Sequence, residues 1–160
     1  LAILGVAVGS AILIAYADPW FARMGRGDWE KLKPEGGREG RDLLRGLLYG
    51  GITEEIILRW GLMSAVGALA VMLGFGNAAA LAIAIFLCAF VFAAGHLPAV
   101  KMETPLTPMI TLRTLILNFI PGIGFGVLFA SYGLEAAMVA HALVHAILYA
   151  LPRARRNAGA

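Results

Sequence analysis

The sequence has few charged residues and only one cysteine, and each shortage excludes a class of protein. Charged residues make up 14% of the 160 positions, whereas a soluble domain usually carries about a quarter. With 60% hydrophobic residues and a mean hydropathy of +0.81, the composition indicates a membrane protein. The single cysteine, Cys88, excludes an internal disulfide and is typical of a small core residue.

Basic residues lie at the borders of hydrophobic spans, not on one face with interleaved aromatic residues as nucleic-acid binding requires. The net charge of +3 therefore points to orientation in a membrane, with membrane lipid and not nucleic acid as the expected partner. Five apolar spans are present, at about 1–17, 43–74, 77–97, 108–131 and 134–152. We expect an all-α, polytopic transmembrane helix bundle with about five membrane spans.

The spans also predict how the chain is organised. Because the chain begins with leucine and has no basic leader, the first span is interpreted as a membrane helix that is cut short, not as a signal peptide. The expected segments are an N-terminal transmembrane helix at 1–17, a cytoplasmic or interfacial loop at 18–42, a membrane core at 43–152 and a basic cytoplasmic tail at 153–160.

Two spans contain features that disturb a simple crossing. A membrane helix needs about 20 residues, so the longer second span should tilt, begin on the surface, or break near Gly50 and Gly51 or near Gly61. Pro121 lies inside the fourth span and should kink or break it, because proline removes a backbone hydrogen bond.

The distribution of lysine and arginine predicts the orientation. Basic residues occur between the first two spans, between the third and fourth, and after the fifth, while the turns near 75 and 132 have none. With five crossings these basic segments fall on one side, which the positive-inside rule makes cytoplasmic. We expect a multi-pass protein of a cell membrane, a bacterial inner membrane from the composition, with a cytoplasmic C-terminus.

Two acids and an arginine nevertheless lie inside the second span. Ionisable groups are costly in a membrane and indicate function unless a partner explains them. On a helix, Glu55 and Arg59 are four residues apart in the favourable order and can neutralise each other. Glu54 points about 100° away. It is either a spare acid facing water or a carboxylate kept for proton transfer.

All three histidines also lie in spans or at their ends. Phe92 and His96 are four residues apart, as are His141 and His145, so each pair shares a helix face. His96 alone is more typical of a satisfied residue at a helix end. The stacked pair is compatible with metal ligation, a proton relay, oxyanion stabilisation or bonds to neighbouring backbone.

Taken together, these groups favour amide hydrolysis without a covalent intermediate. A carboxylate and a histidine can hold one water and remove its proton. Further histidines can donate hydrogen bonds to the oxygen that becomes negative in a tetrahedral intermediate. No serine or cysteine has a comparable partner in the sequence.

The motifs resemble those of the CPBP family, the membrane-embedded glutamate proteases that include CAAX prenyl endopeptidases and bacteriocin-processing or self-immunity proteins. The resemblance covers about 43–150 and rests on three motifs in order: Glu54-Glu55-x-x-x-Arg59, Phe92-x-x-x-His96 and His141-x-x-x-His145. It implies that Glu54 is the general base, His96 its partner in positioning water, and His141 the oxyanion stabiliser.

The resemblance further implies a supporting role for Glu55, Arg59, Phe92 and His145. The family often has asparagine where this chain has His145. A neutral histidine still donates one hydrogen bond, so an oxyanion role at this position is retained.

The expected function is therefore that of an intramembrane endopeptidase acting on a peptide or protein substrate, prenylated or not. No cofactor is expected: histidines and a carboxylate leave zinc open, but no His-Glu-x-x-His pair is present, and the resemblance implies a metal-free mechanism. The alternatives are a non-catalytic immunity or scaffold protein of the same family, and a small proton-coupled carrier using the same residues as a relay.

Overall fold

The computed structural model describes residues 1–24 and 40–157. This part of the chain consists of helices, and five of them are long and apolar enough to cross a membrane. The expected all-α bundle of about five spans is confirmed. The protein is a multi-pass membrane protein.

The helices in chain order are α1 (Ala2–Met24), α2 (Gly40–Met72), α3 (Asn77–Gly95), α4 (Leu97–Glu103), α5 (Pro108–Tyr132) and α6 (Leu134–Asn157). Short α4 follows α3 after His96 and belongs to the same span. Gly74 and Gly133 follow α2 and α5 with φ of 91°, a left-handed conformation that glycine adopts without strain.

Several helices extend past the apolar spans. α1 continues through Pro19 to Met24, so residues 18–24 of the predicted loop are helical, and α2 already begins at Gly40. α4 lies in the expected loop after the third span, and α6 continues past residue 152. Residues 25–39 of the predicted loop and 158–160 of the predicted tail lie outside the described residues. Apolar length marks the crossing itself, while helical hydrogen bonding continues into the polar border.

Pro121 does not break α5, contrary to one of the two outcomes expected for it, because the helix runs without a gap from Pro108 to Tyr132. Membrane helices tolerate proline where neighbouring groups offset the lost hydrogen bond. Pro121 and Gly122 are both buried, and a Cβ on Gly122 would lie 3.0 Å from Phe92 and 3.3 Å from Cα of Ala89. The close approach of α3 therefore supports α5 beside the proline.

The long second span is one continuous helix, so the break considered at its glycines is absent. It is α-helical at Gly40–Arg45 and Ser64–Met72 and winds as a wider π-helix over Gly46–Glu54 and Ile56–Met63. Two hydroxyls bond carbonyls five residues earlier, each at 3.4 Å, in keeping with this winding. π-Helical turns are rare and frequently occur at functional sites.

Small residues line the contacts between helices. The larger core cluster consists of Ala7, Phe92, Phe125, Leu128, Ala136, Ala137, Ala140 and Val144. Helices in a membrane gain little hydrophobic energy from association, so close van der Waals packing at small residues holds them together. A close approach of this kind joins α2 to α6: a Cβ on Gly51 would lie 2.9 Å from Cβ and 3.2 Å from Cα of Ala142.

A polar contact ties α1 to the rest of the bundle. Arg113 of α5 donates from Nε to Oδ1 of Asp18 at 2.6 Å. This ion pair joins the end of α1 to the start of α5. The two helices therefore run in opposite directions. The end of α1 and the start of α5, which both adjoin basic segments, lie at the same end of the bundle.

Replacing Gly51 by alanine should destabilise the bundle by about 1–3 kcal/mol, the usual cost of overpacking. The physical reason is that the new methyl group meets the backbone of Ala142, which moves only if α6 moves. Thermal unfolding of the purified protein in detergent measures the effect.

Gly67→Ala is the matched control. Its Cβ would lie 3.7 Å from Cβ of Ala84, an ordinary contact, and alanine favours a helix over glycine by about 0.5–1 kcal/mol. A Gly51→Ala protein as stable as this control would contradict the close approach of α2 and α6.

Candidate active site

Glu55 is the centre of the site. Its side chain has no exposed surface, and it lies between the two π-helical segments of α2. Oε1 accepts a hydrogen bond from Nδ1 of His141 on α6 at 2.8 Å, and Oε2 lies 3.1 Å from Nε of Arg59. A buried carboxylate is costly unless nearby charges and donors compensate it. The ion pair expected from the four-residue spacing is present, and a histidine from another helix completes it.

Arg59 is also fully buried, and its guanidinium contacts three helices. Nη2 donates to the carbonyl of Gly122 on α5 at 3.3 Å, and Nη1 lies 4.0 Å from Sγ of Cys88 on α3. The guanidinium carbon lies 4.9 Å from the ring centre of Phe92 and 5.7 Å from that of Phe125. A planar cation can donate from its edge while its face meets aromatic rings. Arg59 therefore joins α2, α3 and α5 at one point.

The ion pair leaves one carboxylate oxygen with unused capacity. Among the described residues neither Oε2 of Glu55 nor Nε of Arg59 makes a properly directed hydrogen bond, although their 3.1 Å separation keeps the attraction between the charges. Each carboxylate oxygen can accept more than one hydrogen bond. A buried polar atom of this kind is a favourable position for an ordered water.

His141 is held between aromatic rings and has a partner at each nitrogen. Its ring stacks on Phe125 with centroids 4.6 Å apart and planes at 18°, and Phe92 meets it edge-on at 5.5 Å. Nδ1 bonds Glu55, while Nε2 lies 3.3 Å from Nε2 of His145. A hydrogen bond between two imidazole nitrogens contains one proton, carried by one ring and accepted by the other. The result is a polar chain from Glu55 through His141 to His145.

Two glycines of α2 make room for the histidine pair. A Cβ on Gly46 would lie 2.6 Å from Cγ of His145, and a Cβ on Gly50 would lie 2.7 Å from its Nε2. The same Cβ on Gly50 would lie 3.4 Å from Nε2 of His141. Because these positions lack side chains, the π-helical part of α2 lies directly against both imidazoles.

His96 lies directly after α3 and is half-buried. Its Nδ1 is 2.8 Å from the carbonyl oxygen of Phe92, so Nδ1 carries the proton that this bond needs. In the tautomer that carries only this proton, Nε2 is the accepting nitrogen. The His96 ring also meets Phe92 edge-on with centroids 4.8 Å apart. Phe92 therefore contacts His96, His141 and Arg59.

Glu54 differs from its neighbour Glu55 in having no polar partner in the part of the chain that the structure describes. It is half-buried, and among the described residues its carboxylate takes part in no hydrogen bond or ion pair. In particular, it makes no direct bond with His96 or His141. Its catalytic role, like that of the two histidines, stays a prediction.

Five of the seven residues named from the sequence contact one another directly, and the other two adjoin this set. The set comprises Glu55, Arg59, Phe92, His141 and His145. His96 adjoins it through Phe92, and Glu54 adjoins it through the backbone of α2.

The sequence interpretation missed several residues that contact the site. Cys88, which we expect from the sequence to be a small core residue, is buried beside Met63 and Ala84, and its Sγ also lies 4.0 Å from Nη1 of Arg59. Its spacing of four residues before Phe92 placed it on that helix face and was a usable signal. Phe125 and the Gly122 carbonyl gave no such signal, because their role depends on how α5 packs.

The described residues contain no group of three or more histidine, cysteine, aspartate or glutamate side chains arranged to hold a metal ion. His141 and His145 alone bring two nitrogens together. The expectation of a metal-free mechanism stays a prediction.

Comparison with models of protein families gives a match. The family model described as type II CAAX prenyl endopeptidase Rce1-like matches residues 41–147, a range that contains every residue of the site. No similar protein was found among curated proteins, and none among solved structures.

Replacing Arg59 by methionine should destabilise the protein by about 3–5 kcal/mol, because removing one member of a buried pair leaves the other charge uncompensated. The double variant Glu55→Gln/Arg59→Met should lose clearly less than the sum of the two single variants. Unfolding in detergent measures all three proteins, and strictly additive losses would disprove the coupling.

Arg45→Met is the matched control, since Arg45 is an exposed arginine of the same helix. Exposed substitutions usually change stability by no more than about 0.5 kcal/mol. If Arg45→Met lost as much stability as Arg59→Met, the loss would be due to methionine in this helix and not to the broken ion pair.

Proposed function

This chain belongs to the family of Rce1-like type II CAAX prenyl endopeptidases, and on that premise we propose that it is an intramembrane endopeptidase. In this proposal an activated water hydrolyses a peptide bond, with no covalent intermediate. The observation that carries the proposal is the polar chain from buried Glu55 through buried His141 to half-buried His145. It supplies a held N–H donor inside a membrane protein, which is what a developing oxyanion needs.

Glu54 and His96 are proposed to activate the water. Glu54 is supported as a base because its carboxylate is half-buried and has no polar partner among the described residues, whereas that of Glu55 is already held by two partners. His96 is supported because its Nδ1–H donates to the Phe92 carbonyl, which leaves Nε2 free to accept a hydrogen bond from water. Glu54 takes the proton as the water oxygen bonds to the carbonyl carbon.

His141 and His145 are proposed to stabilise the oxyanion. One proton lies between their Nε2 atoms, and this N–H is proposed to donate to the carbonyl oxygen as that oxygen becomes negative. The tetrahedral intermediate then collapses as the C–N bond breaks, and the proton held by Glu54 passes to the leaving amine.

Glu55, Arg59 and Phe92 are proposed to position the histidines. The bond from His141 Nδ1 to Glu55 selects one orientation of the imidazole, and Arg59 holds Glu55 in turn. Phe92 lies against both His96 and His141. Preorganised groups of this kind contribute to catalysis because they need not reorganise during the reaction.

The proposed substrate is a peptide or protein segment that reaches the membrane border, with prenylation left to the assay. The positive-inside rule assigns the ends that adjoin basic segments, and with them the C-terminus, to the cytoplasm. The site lies toward that end, since His145 faces Gly46 near the start of α2 and His96 lies at the end of α3. The proposed location is a bacterial inner membrane.

Glu54→Gln should lower peptide cleavage by about 10²–10⁴-fold, the usual contribution of general acid–base catalysis. Glutamine keeps the shape of the side chain but cannot take a proton from water. Cleavage of fluorogenic prenylated and unprenylated peptides by the purified protein in detergent measures the loss, with unfolding temperature as a check on the fold.

Glu135→Gln is the matched control, because Glu135 is an exposed glutamate at the start of α6 and at the opposite end of the bundle. It should cleave as the wild type does. Full cleavage by both Glu54→Gln and Glu54→Ala would rule out Glu54 as the base.

The two alternatives give different outcomes in the same set of proteins. A non-catalytic immunity or scaffold protein would cleave none of the peptides, and its Glu54 variants would perform as the wild type does in a cell-based immunity assay. A proton-coupled carrier would show pH-dependent flux in proteoliposomes that Glu54→Gln abolishes. Either result would overturn the endopeptidase proposal.

A further inference from the structure

The distance between the two imidazoles of α6 suits a shared metal ion as well as a shared proton. Nε2 of His141 and Nε2 of His145 lie 3.3 Å apart. With Zn–N bonds of about 2.0–2.1 Å, a tetrahedral angle separates two ligand nitrogens by about 3.3–3.4 Å. We propose that His141 and His145 form a two-histidine site for a divalent transition-metal ion such as Zn²⁺.

The second nitrogen of His141 is arranged as in established zinc sites. Nδ1 donates to Oε1 of Glu55 at 2.8 Å. A metal-bound histidine almost always donates its other N–H to a carboxylate, a carbonyl or water, which fixes the tautomer and the ring orientation. With the proton on Nδ1, the lone pair of Nε2 is directed away from Glu55 toward His145. Stacking on Phe125 also holds the ring in this orientation.

At Gly50, α2 places no side chain beside the two ligand nitrogens. A Cβ on Gly50 would lie 2.7 Å from Nε2 of His145 and 3.4 Å from Nε2 of His141. Any larger residue at this position would occupy the space beside both ligand atoms. His145 is half-buried, so the pair is not sealed inside the bundle.

The ligand set determines the kind of site. The described residues contain no third histidine, cysteine or carboxylate arranged to complete a metal cluster. Two imidazoles therefore leave positions open to water, which makes the ion exchangeable and not a structural zinc. Imidazole suits Zn²⁺, Cu²⁺ and Ni²⁺, whereas Mg²⁺ and Ca²⁺ prefer oxygen ligands.

Binding at this site would oppose hydrolysis, a consequence that rests on the proposed function. The metal takes the lone pairs of both Nε2 atoms and displaces the proton that lies between them. The N–H proposed for the oxyanion is then lost. Occupied by Zn²⁺, the histidine pair is an inhibitory site and not a cofactor site.

The test measures metal binding directly, with no need for a substrate. Purified, metal-free full chain in detergent is titrated with Co²⁺ alone, followed by its visible absorption, and with Zn²⁺ alone, followed by calorimetry. One ion per chain is expected for the wild type, and Mg²⁺ should not compete. His145→Asn removes a ligand from a half-buried position and should weaken binding by about tenfold or more, as should Glu55→Gln, which removes the carboxylate behind His141.

His96→Ala is the matched control, because it removes a histidine that lies outside the pair, and it should bind as the wild type does. Binding that survives unchanged in His145→Asn, or is lost equally in His96→Ala, would overturn the site, as would the absence of saturable binding. Binding without any peptide cleavage would support the site and contradict the proposed function. Cleavage that persists with the site saturated would overturn the inhibitory role.

Discussion

The rest of the site depends on one electrostatic constraint, a carboxylate with no exposed surface inside a membrane protein. Glu55 needs compensating charge and hydrogen-bond donors, and it obtains them from Arg59 on its own helix and from His141 on another. Arg59 must in turn be satisfied, which the Gly122 carbonyl and two aromatic rings achieve. One buried charge therefore specifies how α2, α3, α5 and α6 meet.

Glycine and π-helical winding make these contacts sterically possible. Gly46, Gly50 and Gly51 bring α2 against α6 at distances that exclude a Cβ. This approach allows Glu55 to reach His141, and it encloses the imidazole of His145. The polar chain and the small-residue contact thus depend on each other. A larger residue in place of a glycine would separate α2 from α6, and loss of the ion pair would remove the polar contacts that hold these helices together.

The adjacent acids Glu54 and Glu55 differ in their partners, and the proposed function depends on this difference. Glu55 is committed to holding His141, while Glu54 has no hydrogen-bond or ion-pair partner among the described residues. An acid whose charge is already compensated is suited to positioning, and an unpaired one is suited to exchanging protons. The chain belongs to the Rce1-like family of endopeptidases, and peptide hydrolysis by water requires both proton exchange and positioned groups. The metal site proposed for the histidine pair rests on the same arrangement, since the two nitrogens that share a proton lie 3.3 Å apart.

Local spacing determined a large part of this protein from its sequence. The five spans, the Glu55–Arg59 pair and the shared face of His141 and His145 all follow from hydrophobic length and the four-residue helical repeat. The bond between His141 and Glu55, 86 positions apart, was decided by the tertiary structure, as were the helix through Pro121 and the role of the Gly122 carbonyl. The physical reason is that helical periodicity says which residues share a face. Which faces meet is decided by packing at small residues. One sequence does not show which residues of different helices lie within contact distance of each other.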